Sequence, residues 1–162
     1  MVWPMSGAID RFMEAAKVLG HEVEVRRFPE GTKTAADAAR AVGCDIGQIV
    51  KSLVFMADGR AVLALTSGAN RVDTGKLAEL AGASEARRAN ADEVRAATGY
   101  AIGGTPPFGH PRPISAFLDR DLFGYREIWA AAGTPDSVFR TTPQELRTAT
   151  GAGTADFKER GP

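Results

Sequence analysis

A mixed α/β fold, with a mostly antiparallel or mixed central sheet and helices packed around it, follows from three features of the chain. Two apolar, β-branched runs, Ile49 to Met56 and Arg60 to Thr66, flank Asp58-Gly59, and an Asp-Gly between such runs marks a hairpin. Helical spacing recurs behind capping residues at Thr34, Asn90 and Thr142. Shorter strand-like runs continue as far as residue 140. The 162 residues, 44% of them hydrophobic, are the size of one domain, expected over residues 1–162. A chain of this length buries roughly 70% of its unfolded surface and needs no disulfide or metal to fold.

Each element has its own local cause. Ser6 is placed to cap a helix over Gly7 to Leu19, whose Ile9, Phe12, Met13, Ala16 and Leu19 keep helical spacing and which Gly20 ends. From His21 the pattern alternates, Val23 and Val25 against Glu22, Glu24 and Arg26, which predicts an edge strand. After the turn Phe28-Pro29-Glu30-Gly31, Thr34 caps an alanine-rich helix that Gly43 closes. The hairpin strands are apolar on both faces, so they belong at the centre of a sheet covered on each side. Thr74 to Leu80 reads as a short helix, and Asn90 with Glu93 forms a capping pair for another ending at Thr98-Gly99. Ile114 to Leu118, Tyr125 to Ala130 and Ser137 to Arg140 read as strands. Thr142-Pro143-Gln144-Glu145 then sets cap, N1 proline and capping-box glutamate in register for a final helix ending near Gly151.

Charge and composition narrow the function. Twenty Lys plus Arg balance twenty Asp plus Glu, which excludes coating of nucleic acid through bulk positive charge and leaves room only for a short, local phosphate contact. No apolar run approaches the roughly 20 residues of a membrane span. The start of the chain lacks the charged and apolar regions of a secretory signal. Cys44 is the only cysteine, and His21 and His110 are far apart in sequence, so a reducing, cytoplasmic setting without a metal site is expected.

Lys51 is the first candidate for chemistry. Strand alternation puts it on the face of Ile49, Leu53 and Phe55, where an unpaired ammonium is costly. Either it snorkels to water or pairs with a carboxylate, or it grips a phosphate or carboxylate at the floor of a pocket. The second candidate is Gly103-Gly104-Thr105-Pro106-Pro107-Phe108-Gly109. Glycines allow close approach to backbone and prolines stiffen it, so the N–H groups of Gly103, Gly104 and Thr105 are placed to meet a substrate oxygen; an ordinary rigid turn is the plainer reading. His110, just beyond, is either a proton carrier, a phosphate contact or a surface residue. Other sites fail on spacing. A phosphate loop around Gly75-Lys76 needs glycine at Asn70 and Ser or Thr at Leu77, and a dinucleotide loop at Gly151-Ala152-Gly153 needs glycine at Asp156. Cys44, at a helix end beside Asp45, has the setting of an inert thiol.

Four segments in order, Thr34-Ala35-Ala36-Asp37-Ala38-Ala39, Gln48-Ile49-Val50-Lys51-Ser52-Leu53-Val54-Phe55, Val72-Asp73-Thr74-Gly75-Lys76-Leu77 and Gly103 to His110, closely resemble the YbaK/prolyl-tRNA-editing-domain family. The likeness runs from about Phe12 to Asp156. It implies a free-standing relative of the insertion domain of bacterial prolyl-tRNA synthetases, a trans-editing hydrolase. Such an aminoacyl-tRNA deacylase removes a small wrong residue such as Ala, Ser, Thr or Cys, here expected on tRNA-Pro, with no cofactor and no metal. The lysine matching Lys51 would hold the phosphate near the terminal adenosine. The loop matching Gly103, Gly104, Thr105, Pro106 and Pro107 would bind the aminoacyl end and position water, with Phe108 and His110 at its end. Phe28, Thr34, Val54 or its strand neighbours, and Asn70 are pocket candidates by position, and Ala131 stands where some relatives carry serine. An aminoacyl ester is already activated, so oriented water, backbone N–H groups and the ribose hydroxyl suffice without a nucleophilic side chain. The implied partners are the acceptor end of aminoacyl-tRNA and prolyl-tRNA synthetase; the balanced charge and the lack of a long apolar run predict no DNA and no membrane partner, and the near-neutral pI with no long apolar helix face predicts a monomer. The alternative of another class is a non-catalytic module that binds the aminoacyl end of tRNA or a synthetase.

Overall fold

The computed structural model describes residues 7–32 and 34–160. The first helix, α1 (Ala8–Val18), has Gly7 at its cap position; Ser6, expected there, lies outside the described residues. Helix α1 buries Phe12 and Ala16. Strand β1 (Val25–Arg27) pairs only with β7 (Ser137–Thr141), so the expected edge strand is present in shortened form. Helix α2 (Ala35–Val42) starts where the Asp37 N–H donates to Thr34 Oγ1 at 3.0 Å, and Gly43 ends it in the left-handed conformation.

Strands β2 (Ile49–Ala57) and β3 (Arg60–Ser67) form the central hairpin, in unbroken antiparallel register from Val50 opposite Ser67 to Ala57 opposite Arg60. Asp58 and Gly59 both take positive φ, 48° and 83°, the geometry of the tight turn that Asp-Gly favours. Helix α3 (Thr74–Ala81), strand β4 (Ala86–Arg88) and helix α4 (Ala91–Thr98) follow, and the Asn90–Glu93 capping box closes in both directions, at 2.8 and 2.9 Å. Strand β5 (Ser115–Asp119), β6 (Ile128–Ala131), β7, helix α5 (Pro143–Thr150) and β8 (Gly153–Ala155) complete the chain. Tyr125 to Glu127, expected to open β6, lie outside it.

The eight-stranded sheet has the order β1-β7-β6-β2-β3-β5-β8, with β4 set against β2. Pairing is parallel between β2 and β6, β3 and β5, and β5 and β8, and antiparallel elsewhere. One face carries the larger core, with Phe12, Val54, Leu63, Leu65, Leu118 and Phe139; the other packs Phe55, Val62, Leu77 and Phe157. Strands buried on both faces account for the continuous apolar character of β2 and β3. No helix among the described residues is long and apolar enough to cross a membrane.

Candidate active site

The edge of β2 that faces away from β3 is shared by two short strands. Strand β6 pairs with Ile49 and Val50, and β4 pairs with Phe55, Met56 and Ala57. Between them the sheet has a gap, and a cavity of about 460 Å³ opens there. Every residue from Ile49 to Val54 lines it. A strand shows alternate side chains to each face, so six consecutive lining residues mean that the cavity meets the strand at its edge. Helix α2 contributes Ala35 and Ala38, with Thr32 and Thr34 before it; α4 contributes Val94, and β6 contributes Trp129 to Ala131. Gly103 and Thr105 close one side.

Lys51 projects into this wall half-buried, and its ammonium donates to the Asn70 carbonyl at 2.6 Å. No carboxylate lies within ion-pair distance of it among the described residues. Burial lowers the Lys51 pKa from its usual value near 10.5, and the nearby cations Arg88 and Arg71 lower it further, opposed by Asp119. A half-buried ammonium with one neutral acceptor, two cationic neighbours and only the more distant charge of Asp119 to offset them has the electrostatics that suit an anion. Arg88 also lines the cavity and makes no ion pair among the described residues, whereas its neighbour Arg87 is held by both oxygens of Glu93 at 2.8 Å. This pair lowers the Glu93 pKa to about 2.

A chain of ties fixes the acceptor for Lys51. The Asn70 amide donates to Asp119 and Asp121, each at 2.9 Å, and Lys158 Nζ donates to Asp121 at 2.6 Å. Asp119 is buried and also accepts from the Ser67 and Asp121 N–H groups. Val72 bridges Lys158, the Asp73 N–H donates to the Phe157 carbonyl, and the Glu159 N–H to the Arg71 carbonyl. Residues 157–159 thus strap the turn that carries Asn70.

Residues 29–149 match the family described as "Aminoacyl-tRNA editing domain". The chain belongs to this family. A solved structure described as a "putative trans-editing enzyme for prolyl tRNA synthetase" superposes on the editing domain with a TM-score of 0.90 at 49% identity, covering 97% of this chain and all of that one. The uncharacterized protein YwhH of Bacillus subtilis (strain 168) is 32% identical over 77% of this chain and 80% of its own length. A proline–tRNA ligase of Xanthomonas oryzae is 37% identical over 90 residues, 56% of this chain but 16% of the ligase. The editing domain therefore spans a small part of that enzyme.

The cavity brings together Lys51, Val54, Gly103, Thr105, Thr34 and Ala131 of the residues singled out in the sequence. Others sit elsewhere in the editing domain. The Gly104 N–H donates to the Ala101 carbonyl at 3.0 Å, so it is not the free oxyanion donor that the glycine content suggested. Gly104 is required instead by close packing: a Cβ there would lie 2.7 Å from the Thr134 backbone. Phe28 packs against the cluster of Ala38, Ile49, Trp129 and Val138 behind the wall. Asn70 turns its side chain away to the two aspartates and offers only its carbonyl. Pro106 is buried, and Pro107, Phe108 and His110 line a separate cavity of about 380 Å³. Cys44 is partly buried, and burial and Asp45 raise its pKa. Sequence reasoning missed Arg88 and Thr32 as parts of the wall and did not single out Ser52 among the strand neighbours of Val54; a three-residue strand and an orphaned strand edge leave no pattern in the sequence. Among the described residues no group of three or more His, Cys, Asp or Glu is placed to hold a metal.

Proposed function

We propose that this editing domain deacylates mischarged aminoacyl-tRNA carrying a small residue, Ala, Ser, Thr or Cys, on tRNA-Pro in the cytoplasm. The observation that carries the reading is Lys51, an ammonium with no carboxylate partner among the described residues, in the wall of a small, mostly apolar cavity. It is suited to a phosphate of the acceptor end, while the cavity receives the aminoacyl group. Gly103 and Thr105 supply backbone on the far wall from which N–H groups meet the ester carbonyl and water is oriented. Attack of that water on the carbonyl carbon gives a tetrahedral oxyanion. Its collapse releases the amino acid and returns the proton to the ribose oxygen that leaves. A cavity of this size admits small side chains and gains selectivity by exclusion, since one methylene alone is worth roughly 10–200-fold. The likeness to a protein described as a prolyl-tRNA synthetase trans-editing enzyme supports tRNA-Pro as the carrier.

Incubation of the purified chain with tRNA charged with Ala, Ser, Thr, Cys and Pro tests this. Hydrolysis of a mischarged species is expected, with Pro-tRNA spared, and Lys51→Ala is expected to lower kcat/KM about 10- to 100-fold, the worth of one charged hydrogen bond, with unchanged melting. Full activity in Lys51→Ala removes the role assigned to it. Saturable binding of charged tRNA with no turnover of any species makes the chain a non-catalytic tRNA-binding module.

A further inference from the structure

The alternation of peptide groups along β2 can be read from two hydrogen bonds. The Ile49 carbonyl accepts from the Gly68 N–H at 2.7 Å on the β3 side, and the Val54 carbonyl accepts from the Ala89 N–H at 3.0 Å on the β4 side. The register with β3 is unbroken between them. Peptide groups of successive residues point to opposite edges of a strand, so Lys51 and Leu53 face β3 while Val50, Ser52 and Val54 face the other edge. Strand β6 takes Val50, and the β4 segment begins at Val54. Ser52 falls between them. Neither its N–H nor its carbonyl has a partner among the described residues, and its buried hydroxyl has none either. Ser52 is half-buried, and backbone groups inside a sheet are paired with protein or water in the great majority of cases. An orphaned donor and acceptor on one residue, at the wall of the cavity, form a sheet ladder with one rung missing.

We propose that the aminoacyl group of the substrate fills this rung, its α-amine donating to the Ser52 carbonyl and its ester carbonyl accepting from the Ser52 N–H. A rung of an antiparallel ladder is completed by one residue that offers one donor and one acceptor, and an aminoacyl ester is a single residue with both. Among the described residues the charged groups in the cavity wall are Lys51 and Arg88, both cationic, and none of them is a carboxylate that could receive the amine. A peptide carbonyl is the acceptor that remains. The Ser52 N–H is thereby a preorganised donor to the oxygen on which charge develops. The substrate class follows: acyl esters with a primary α-amine, read through their main chain, with the side chain left to the apolar wall.

This inference rests on the deacylase reading, and the test keeps the two apart. The probes are 3′-deoxy-3′-(L-alanylamino)adenosine, an amide that resists hydrolysis, and its desamino counterpart, the 3′-propionylamino compound. They are titrated into the full chain labelled with ¹⁵N and ¹³C, beside the turnover assay on charged tRNA. The alanyl probe is expected to move the Ser52 amide proton downfield and protect it from exchange, to leave the Leu53 amide unmoved, and to bind about tenfold more tightly than the propionyl probe. Equal affinity of the two probes, shifts at Arg88 and Thr105 with Ser52 silent, or no saturable binding of either overturns the rung. A Ser52 response with no hydrolysis of any charged tRNA supports the rung and overturns the deacylase reading. Hydrolysis with Ser52 silent does the reverse.

Discussion

Residues 103–105 and 106–110 are consecutive in one loop, yet they face different surroundings. The first three border the open cavity through Gly103 and Thr105. The rest is fastened to the core: Phe108, 4% exposed, sits 5.3 Å from the Phe12 ring and 5.8 Å from the Phe139 ring, and His110 Nε2 is 2.8 Å from the Pro106 carbonyl. Gly109, at φ 83°, passes so close to α1 that a Cβ would meet Ala15 at 3.0 Å. A loop fixed at one end by aromatic packing presents its other end at a set distance from β2, which is what oriented chemistry requires. Anchoring and presentation are divided between neighbouring residues, so mutations on the two sides should separate stability from activity.

The largest effect is expected from Phe108→Ala, which removes one ring of the mutually packed trio with Phe12 and Phe139 and costs about 3–5 kcal/mol, read by urea unfolding. A loss under about 1 kcal/mol would remove Phe108 from its anchoring role. Gly104→Ala comes next. Its Cβ has no room against the Thr134 backbone, so about 1–3 kcal/mol is expected from overpacking, with slower deacylation because Gly103 shifts too. Gly103→Ala forces a side chain onto φ 85°, a strain of about 1–2 kcal/mol; here kcat/KM should fall by more than the stability change accounts for, and proportional losses would dissolve the division within the loop. The smallest effect concerns His110. Burial lowers its pKa from 6.5 against the opposing hydrogen bond to Pro106. As pH falls below the unfolded value, the unfolded chain takes up the proton first, so His110 adds to stability above that pH and loses it progressively below. His110→Gln should flatten the acid limb of Tm against pH, and an unchanged limb would show that the ring is not held neutral.

Local chemistry was legible and long-range pairing was not. Thr34, Asn90 and Thr142 each accept the N–H three residues on, at 3.0, 2.8 and 3.1 Å, because a cap is settled within one turn. The Asp-Gly hairpin and the buried character of β2 and β3 were equally visible. Strands β4 and β8 were not, since three residues carry no period and only a partner defines them. Lys51 stood out as an ammonium in an apolar run, whereas Ser52 beside it did not: its importance depends on where two other strands stop. Asn70 was read as a pocket residue, but an amide with two N–H donors meets two aspartates and its side chain turns to them.

The strap at residues 157–159 has a consequence in time. Chains are synthesised from the N-terminus, and domains fold as they emerge. The walls of the cavity come from residues 32–138, but the Asn70 carbonyl that steadies Lys51 is held through Asp121 by Lys158. The contact that steadies Lys51 is therefore completed late in synthesis, once residues 157–159 are free to reach Asp121 and the turn at Asn70.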